Sequence, residues 1–267
     1  MQFFKMHSMG NDFVVFGTPS NINLPTKNTI SALCDRHYGI GADCAVCIGK
    51  SQNSDYFMHV YNPDGTEVEM CGNALKCSTQ YVHEKGYFKR NLFSIETQSG
   101  IKKASVHAKQ IIAEIGKPNI VQHGILEFYS SPLPYVQVSM GNPHCIIFAA
   151  NLSDEQFLTL GPFIENHPDF PNGTNVEFAN ILDESNIEMR VWERGIGETF
   201  SCITGSCACV AAASVVGSVS DTVSVHQYGG IAEIKIDENG IMFNKGKVTT
   251  VFQGTINTER GSINEAQ

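Results

Sequence analysis

Charge is scarce in this 267-residue chain: Asp, Glu, Lys and Arg together make up 17% of it, against about 25% in ordinary soluble proteins. With 42% apolar residues, that excludes disorder as a description of the whole chain. Positive charge is the scarcer sign, 18 Lys and Arg against 27 Asp and Glu for a net charge of −9, and no basic cluster interrupts it. Nucleic acid and anionic membrane are therefore poor partners. The first residues, MQFFKMHSMGND, lack the basic segment, apolar core and small cleavage residues of a secretory leader. The longest apolar-rich stretch, from Cys207 to Gly217, is too short for a bilayer core of about 30 Å. Nine cysteines, an odd number in a chain large enough to fold without staples, predict reduced thiols and a cytoplasmic protein.

The length allows one large domain or two of about 130 residues. Strand-like runs at Phe13 to Phe16, Cys44 to Ile48, Tyr56 to Tyr61, Tyr135 to Met140 and Ile187 to Trp192 alternate with helical patterns at Thr29 to Arg36, Gly72 to Lys85, Asp154 to Glu165 and Thr204 to Val216. Glu238-Asn239-Gly240 reads as a tight hairpin. An internal repeat organises these pieces. Ser8-Met9-Gly10-Asn11 returns 131 residues later as Ser139-Met140-Gly141-Asn142, and at the same offset Cys71 falls on Cys202 and Asn62 on Glu193. Each cysteine stands where a turn-rich stretch gives way to a helical pattern. Two similar halves of α/β character, related by a pseudo-twofold axis, are expected.

A helix N-terminus offers unpaired N–H groups and the positive end of the macrodipole, which lowers a thiol pKa and cradles a carboxylate. If the halves pack about a twofold axis, Cys71 and Cys202 can face each other across a cleft. That arrangement suits inversion of a carbon next to a carboxylate, in which a proton leaves one face and another arrives on the opposite face. Converging N–H dipoles would stabilise the charge that develops on the carboxylate.

The strings Lys5 to Phe13, Asp35 to Asp43 (DRHYGIGAD), Asn62-Pro63-Asp64-Gly65 leading to Cys71-Gly72-Asn73, Gly141-Asn142-Pro143-His144, and Trp192-Glu193-Arg194-Gly195 leading to Cys202 resemble those of the diaminopimelate epimerases. The resemblance runs from about residue 3 to the closing segment around Val251 to Ile256. It implies an α/β (α+β) fold of two similar lobes, each with strands wrapped around a central helix, and an active site in the cleft. The lobes are placed at 1–117, joined by a C-terminal strand at 251–267, and at 118–250. The implied activity is pyridoxal-independent interconversion of L,L- and meso-diaminopimelate, on the route to lysine and peptidoglycan, with no cofactor and no metal. The expected partner is the small-molecule substrate, with a homodimer as the candidate assembly.

By the same resemblance, Cys71 and Cys202 are the catalytic pair. Backbone N–H groups of Gly72, Asn73, Ile203 and Thr204 would hold the reacting carboxylate. Asn11, Cys44, Asn62, Asn142, Asn175, Glu193 and Arg194 would bind the ammonium groups and the distal carboxylate. Ala74 and Lys76 replace a glycine and an arginine usual in the family, and Ile203 stands where glycine is usual. A backbone donor survives that last change wherever φ is negative.

Other readings weigh against parts of this one. Cys34, Cys47, Cys77, Cys145, Cys207 and Cys209 are read as core filler. Cys44-x-x-Cys47 lacks a second paired motif at zinc spacing, and Gly39-Ile40-Gly41 lacks the rest of a dinucleotide fingerprint. His7 and His144 are read as orienting their loops. A racemase for another amino acid on the same fold, and a thiol redox or metal-binding protein, are the alternatives.

Overall fold

The computed structural model describes residues 1–20, 24–108, 110–129, 131–217 and 219–257. The last ten residues of the expected closing strand, 258–267, lie outside them. The chain divides into two compact units, Met1–Ala113 with Gly246–Gln267, and Glu114–Lys245.

In the first unit β1 (Gln2–Ser8) and β2 (Asn11–Gly17) form a hairpin in which Ser8 pairs with Asn11. Its two turn residues, Met9 and Gly10, both have positive φ, the backbone of the turn that matches strand twist. Helix α1 (Lys27–Cys34) then crosses to β3 (Cys44–Gly49), which runs parallel to β2. The sequence pattern suggested Thr29 to Arg36. The helix starts earlier because Thr26 is its N-cap and accepts from the Thr29 amide. Strands β4 (Tyr56–Tyr61) and β5 (Glu67–Val68) follow, then α2 (Gly72–Glu84), β6 (Leu92–Thr97) parallel to β4, β7 (Gly100–His107) and β8 (Gln110–Gly116).

The second unit repeats this order. After β9 (Asn119–Phe128) come β10 (Ser131–Ser139), β11 (Pro143–Phe148), α3 (Asp154–Glu165) and β12 (Asn175–Asp183), the last parallel to β11. Strands β13 (Asn186–Glu193) and β14 (Gly197–Glu198), helix α4 (Ile203–Val215) and strands β15 (Thr222–Gln227), β16 (Gly230–Ile236) and β17 (Met242–Gly246) complete it. Strand β18 (Thr249–Thr255) pairs with β1 in the first unit, as β9 pairs with β10 in the second. The offset of the sequence repeat holds in the pairing itself: Phe13 opposes Cys44 in one unit, and His144 opposes Asn175 in the other.

Helices α2 and α4 are buried among the strands of their own units. Every residue of α4 from Ile203 to Ala213 is buried, so the helix is apolar or small on all sides, as a helix without a solvent face must be. The outer helix α3 buries only one stripe, Phe157, Leu160 and Ile164, against Phe178 and Trp192. No helix among the described residues is long and apolar enough to cross a membrane.

Core cysteines make the fold sensitive to alkali. Burial pushes the Cys34 thiol up to about 11 and the Cys47 thiol up to about 12. Above the ordinary thiol pKa of 9.0 the unfolded chain releases protons that the folded chain keeps, so stability falls as pH rises from 9 toward 12, on the order of 1 kcal/mol per pH unit for each such thiol. Melting under reductant is expected at a clearly lower temperature at pH 10.5 than at pH 8. Replacing Cys34 and Cys47 by alanine should flatten that slope, whatever it does to stability at pH 8.

Candidate functional site

Both cysteines singled out by the repeat are helix N-caps with extended backbone, Cys71 for α2 and Cys202 for α4. The first intrahelical bonds are those of Leu75 to the Cys71 carbonyl and Ser206 to the Cys202 carbonyl. The amides of Gly72 and Asn73 in one unit, and of Ile203 and Thr204 in the other, therefore lie ahead of the helical ladder, where an anion is stabilised by N–H groups and dipole together. Ile203 is helical and buried, and it is not among the residues with positive φ. Its side chain is buried and its amide stays at the helix end, so the replacement of glycine leaves the donor intact.

In the first unit the side chains gather on the ends of β2, β3 and β4. Cys71 Sγ lies 3.9 Å from Asn11 Oδ1, and Asn11 Nδ2 donates to Asp43 Oδ2 at 3.1 Å. Cys44 Sγ lies 3.9 Å from Asn62 Oδ1, and Asn62 Nδ2 donates to Thr66 Oγ1 at 3.1 Å. The sequence thus places Asn11, Cys44, Asn62, Cys71, Gly72 and Asn73 in one unit, with thiols and carboxamides alternating.

The second unit gathers Asn142, Asn175, Glu193, Arg194, Cys202, Ile203 and Thr204. Cys202 is 7% exposed. Its Sγ accepts from the Gly205 amide at 3.3 Å and sits 3.4 Å from Thr204 Oγ1, and its own amide donates to Gln227 Oε1 at 2.8 Å. Asn142 Nδ2 donates to Thr204 Oγ1 at 3.4 Å. Asn175 spans the Pro143 carbonyl and the Arg194 amide, at 2.8 and 3.0 Å, so it fixes the backbone that carries Arg194. Glu193 accepts from Thr199 at 2.5 Å.

The helix end was expected to lower the thiol pKa, yet the Cys202 thiol is pushed well above its ordinary value. Burial is the largest cause, reinforced by the negative charge of Glu193 and Glu177. The hydrogen bonds from Thr204 and from the Gly205 amide pull the other way and do not compensate. Burial and the two carboxylates thus disfavour the Cys202 anion.

His144 is fully buried between Glu177 Oε1, 2.7 Å from Nδ1, and Asn142 Oδ1, 3.1 Å from Nε2. It orients the asparagine, as its place beside the Gly141-Asn142 turn suggested. Glu177 itself was missed by the sequence reading, although a glutamate inside the buried strand NVEFAN is a visible anomaly. A Cβ at Gly205 would stand 2.5 Å from Glu177 Oε1, which explains why the first turn of α4 has glycine there. Gln227 was also missed, and nothing local in its strand marks it. Of the remaining cysteines, Cys34, Cys47, Cys77, Cys145, Cys207 and Cys209 are buried, which is the core role read from sequence.

Comparison with known proteins places this geometry in a family. The profile described as diaminopimelate epimerase matches residues 3–121 and 136–251. A diaminopimelate epimerase of Pelotomaculum thermopropionicum is 37% identical over 274 residues, covering 95% of this chain and 98% of the relative. One from Methanococcus maripaludis is 37% identical over 277 residues, covering 96% and 99%. Among solved structures, a hydroxyproline epimerase from Agrobacterium vitis superposes with a TM-score of 0.74 at 14% identity, covering 95% of this chain and 91% of that one. A phenazine biosynthesis protein of Bacillus anthracis gives 0.72 at 16%, covering 96% and 99%. These two likenesses are of fold.

Proposed function

The chain belongs to the diaminopimelate epimerase family, and from that premise we propose that it interconverts L,L- and meso-diaminopimelate by proton transfer between the substrate α-carbon and two cysteines, Cys71 and Cys202. The observation that carries the reading is the pair of repeat-related cysteines, each at the N-terminus of a buried helix. A thiolate removes the α-proton from one face and becomes a thiol. The opposite thiol gives its proton to the other face and becomes a thiolate, so the enzyme ends each turnover with the proton positions exchanged. The reverse direction uses the same pair with the roles switched.

The α-proton is weakly acidic, and the carbanion needs stabilisation at its carboxylate. Amides at the ends of α2 and α4 supply fixed dipoles where that charge develops. Asn11, Asn62 and Glu193 supply acceptors for ammonium groups, Arg194 a donor pair for the distal carboxylate, and Asn142 a further amide donor. Net charge and cysteine usage support a cytoplasmic setting. A homodimer is the proposed assembly, to be read by light scattering.

The deciding experiment is incubation of the protein with L,L-diaminopimelate in deuterium oxide. Deuterium should enter the α-position as meso isomer accumulates, and proline, alanine and lysine should exchange far more slowly. Equal exchange into one of those amino acids would favour a racemase of different specificity. No α-exchange with any of them would leave the thiol redox reading.

A further inference from the structure

The string from Asp35 to Asp43 supplies no group to the reaction as described, yet it ends in a charged clamp beside Asn11. We propose that Asp43, held by Arg36, is a positioning residue that fixes the Asn11 carboxamide with its oxygen, rather than its nitrogen, presented to the substrate's reacting end.

A carboxamide has two ends of nearly equal shape and opposite hydrogen-bonding character. At Asn11 the choice is made by a carboxylate, which only accepts: Nδ2 donates to Asp43 Oδ2 at 3.1 Å, leaving Oδ1 toward Cys71 Sγ. Asp43 is itself immobilised. Its Oδ1 accepts from Arg36 Nη2 at 2.7 Å, its Oδ2 also accepts the Asp12 amide at 3.1 Å, and its own amide donates to Asp12 Oδ1 at 2.7 Å. Arg36 grips Asp12 through both nitrogens, and Lys5 Nζ pairs with Asp12 Oδ2 at 2.6 Å. Burial would push the Asp12 carboxyl up, but the bonds from Arg36 and Lys5 hold it well below the usual carboxylate range, so this side of the clamp stays charged.

Two observations separate positioning from general stabilisation. The Arg36 and Asp43 side chains are 55% and 42% exposed, and ion pairs at such exposure contribute little to folding. The repeat also shows that the fold does not require this orientation. Asn142, the counterpart of Asn11, turns its nitrogen toward Thr204 and its oxygen toward His144. At the offset of the repeat, Thr174 stands where Asp43 stands in the first unit. The acceptor facing Cys71 is therefore specified by Asp43, and it suits an ammonium group next to the reacting carbon.

The inference rests on the proposed epimerase reading, and wild-type turnover of diaminopimelate tests that reading independently. The test of the clamp is a swap. With Asp43→Asn, residue 43 no longer dictates the orientation of Asn11, and KM for diaminopimelate should rise about tenfold, the scale of one hydrogen bond to a charged group. The kcat should change less than about threefold, because the contact is made in ground and transition states alike. Asn11→Asp alone sets two carboxylates side by side and should also raise KM. Combining Asn11→Asp with Asp43→Asn restores donor to acceptor in the reverse sense and keeps an oxygen toward Cys71, but it sets the new amide nitrogen against the Asp12 amide that Oδ2 now accepts, so KM should return part of the way to wild type and fall below that of the worse single variant. An Asp43→Asn enzyme with KM within about twofold of wild type, or a combined variant no better than the worse single one, overturns the proposal.

Discussion

Replacing either cysteine by serine is expected to lower kcat for diaminopimelate epimerisation by about 10² to 10⁴-fold, the range that one positioned acid–base group contributes. Serine keeps the N-cap geometry, and at position 202 a hydroxyl can still accept the Gly205 amide that now reaches Sγ at 3.3 Å. The melting temperature should therefore stay close to wild type. What is lost is acidity, since an alcohol is a far weaker acid than a thiol. Each single variant keeps one working thiol. A diaminopimelate analogue with a β-halogen, which loses halide as its α-proton is taken, needs one base only. Each variant should therefore eliminate halide from one stereoisomer, the two variants choosing opposite isomers. Stopped epimerisation with elimination retained in this split pattern supports two bases on opposite faces. Epimerisation at the wild-type rate by either variant removes that cysteine from the reaction.

The two thiols do not start equal. Cys202 is enclosed and its anion disfavoured by burial and by Glu193 and Glu177, while Cys71 is less buried and lies against the oxygen of Asn11. None of this was legible in the sequence, where the two cysteines differ only in their neighbours. Periodicity and turn chemistry act locally, so the strands β2, β3, β4, β10 and β13, the full span of α3 and both helix starts at cysteine could be read from it. Burial and long-range pairing do not act locally. Glu177 reaches His144 across 33 residues and Gln227 reaches Cys202 across 25, and no spacing rule joins such pairs. The repeat was the exception, because it turned a distant relation into a fixed offset that the strand register then repeats. The start of α1 was missed for a local reason: Thr26 carries the capping signal and stands three residues before Thr29, where the apolar period begins.

Arg194→Met is expected to reduce kcat/KM for diaminopimelate by about 10- to 100-fold while changing that for lysine by less than about threefold, because one charge-assisted hydrogen-bonded contact is worth roughly 1.5 to 3 kcal/mol. Arg194 is held from beneath. Its amide is fixed by Asn175 Oδ1, its Nη1 donates to the Asn172 carbonyl at 3.3 Å, and its stem passes over Gly173, where a Cβ would come within 3.1 Å of Cδ. The side chain is thus aimed by the backbone beneath it, yet the residue remains exposed. A desolvated arginine deprived of its carboxylate would cost about 2 to 5 kcal/mol. An exposed one is rehydrated when the carboxylate is missing, and the penalty reduces to the lost contact. Lysine lacks the distal carboxylate and so already forgoes that contact, which makes it a poor substrate that the substitution cannot worsen much. Measuring kcat/KM for both amino acids with both proteins closes a double-mutant cycle, and the coupling between Arg194 and the distal carboxylate is read from the ratio of ratios. If Arg194→Met weakens turnover of lysine as much as that of diaminopimelate, the guanidinium does not bind the distal carboxylate, and specificity for a substrate charged at both ends must come from other residues.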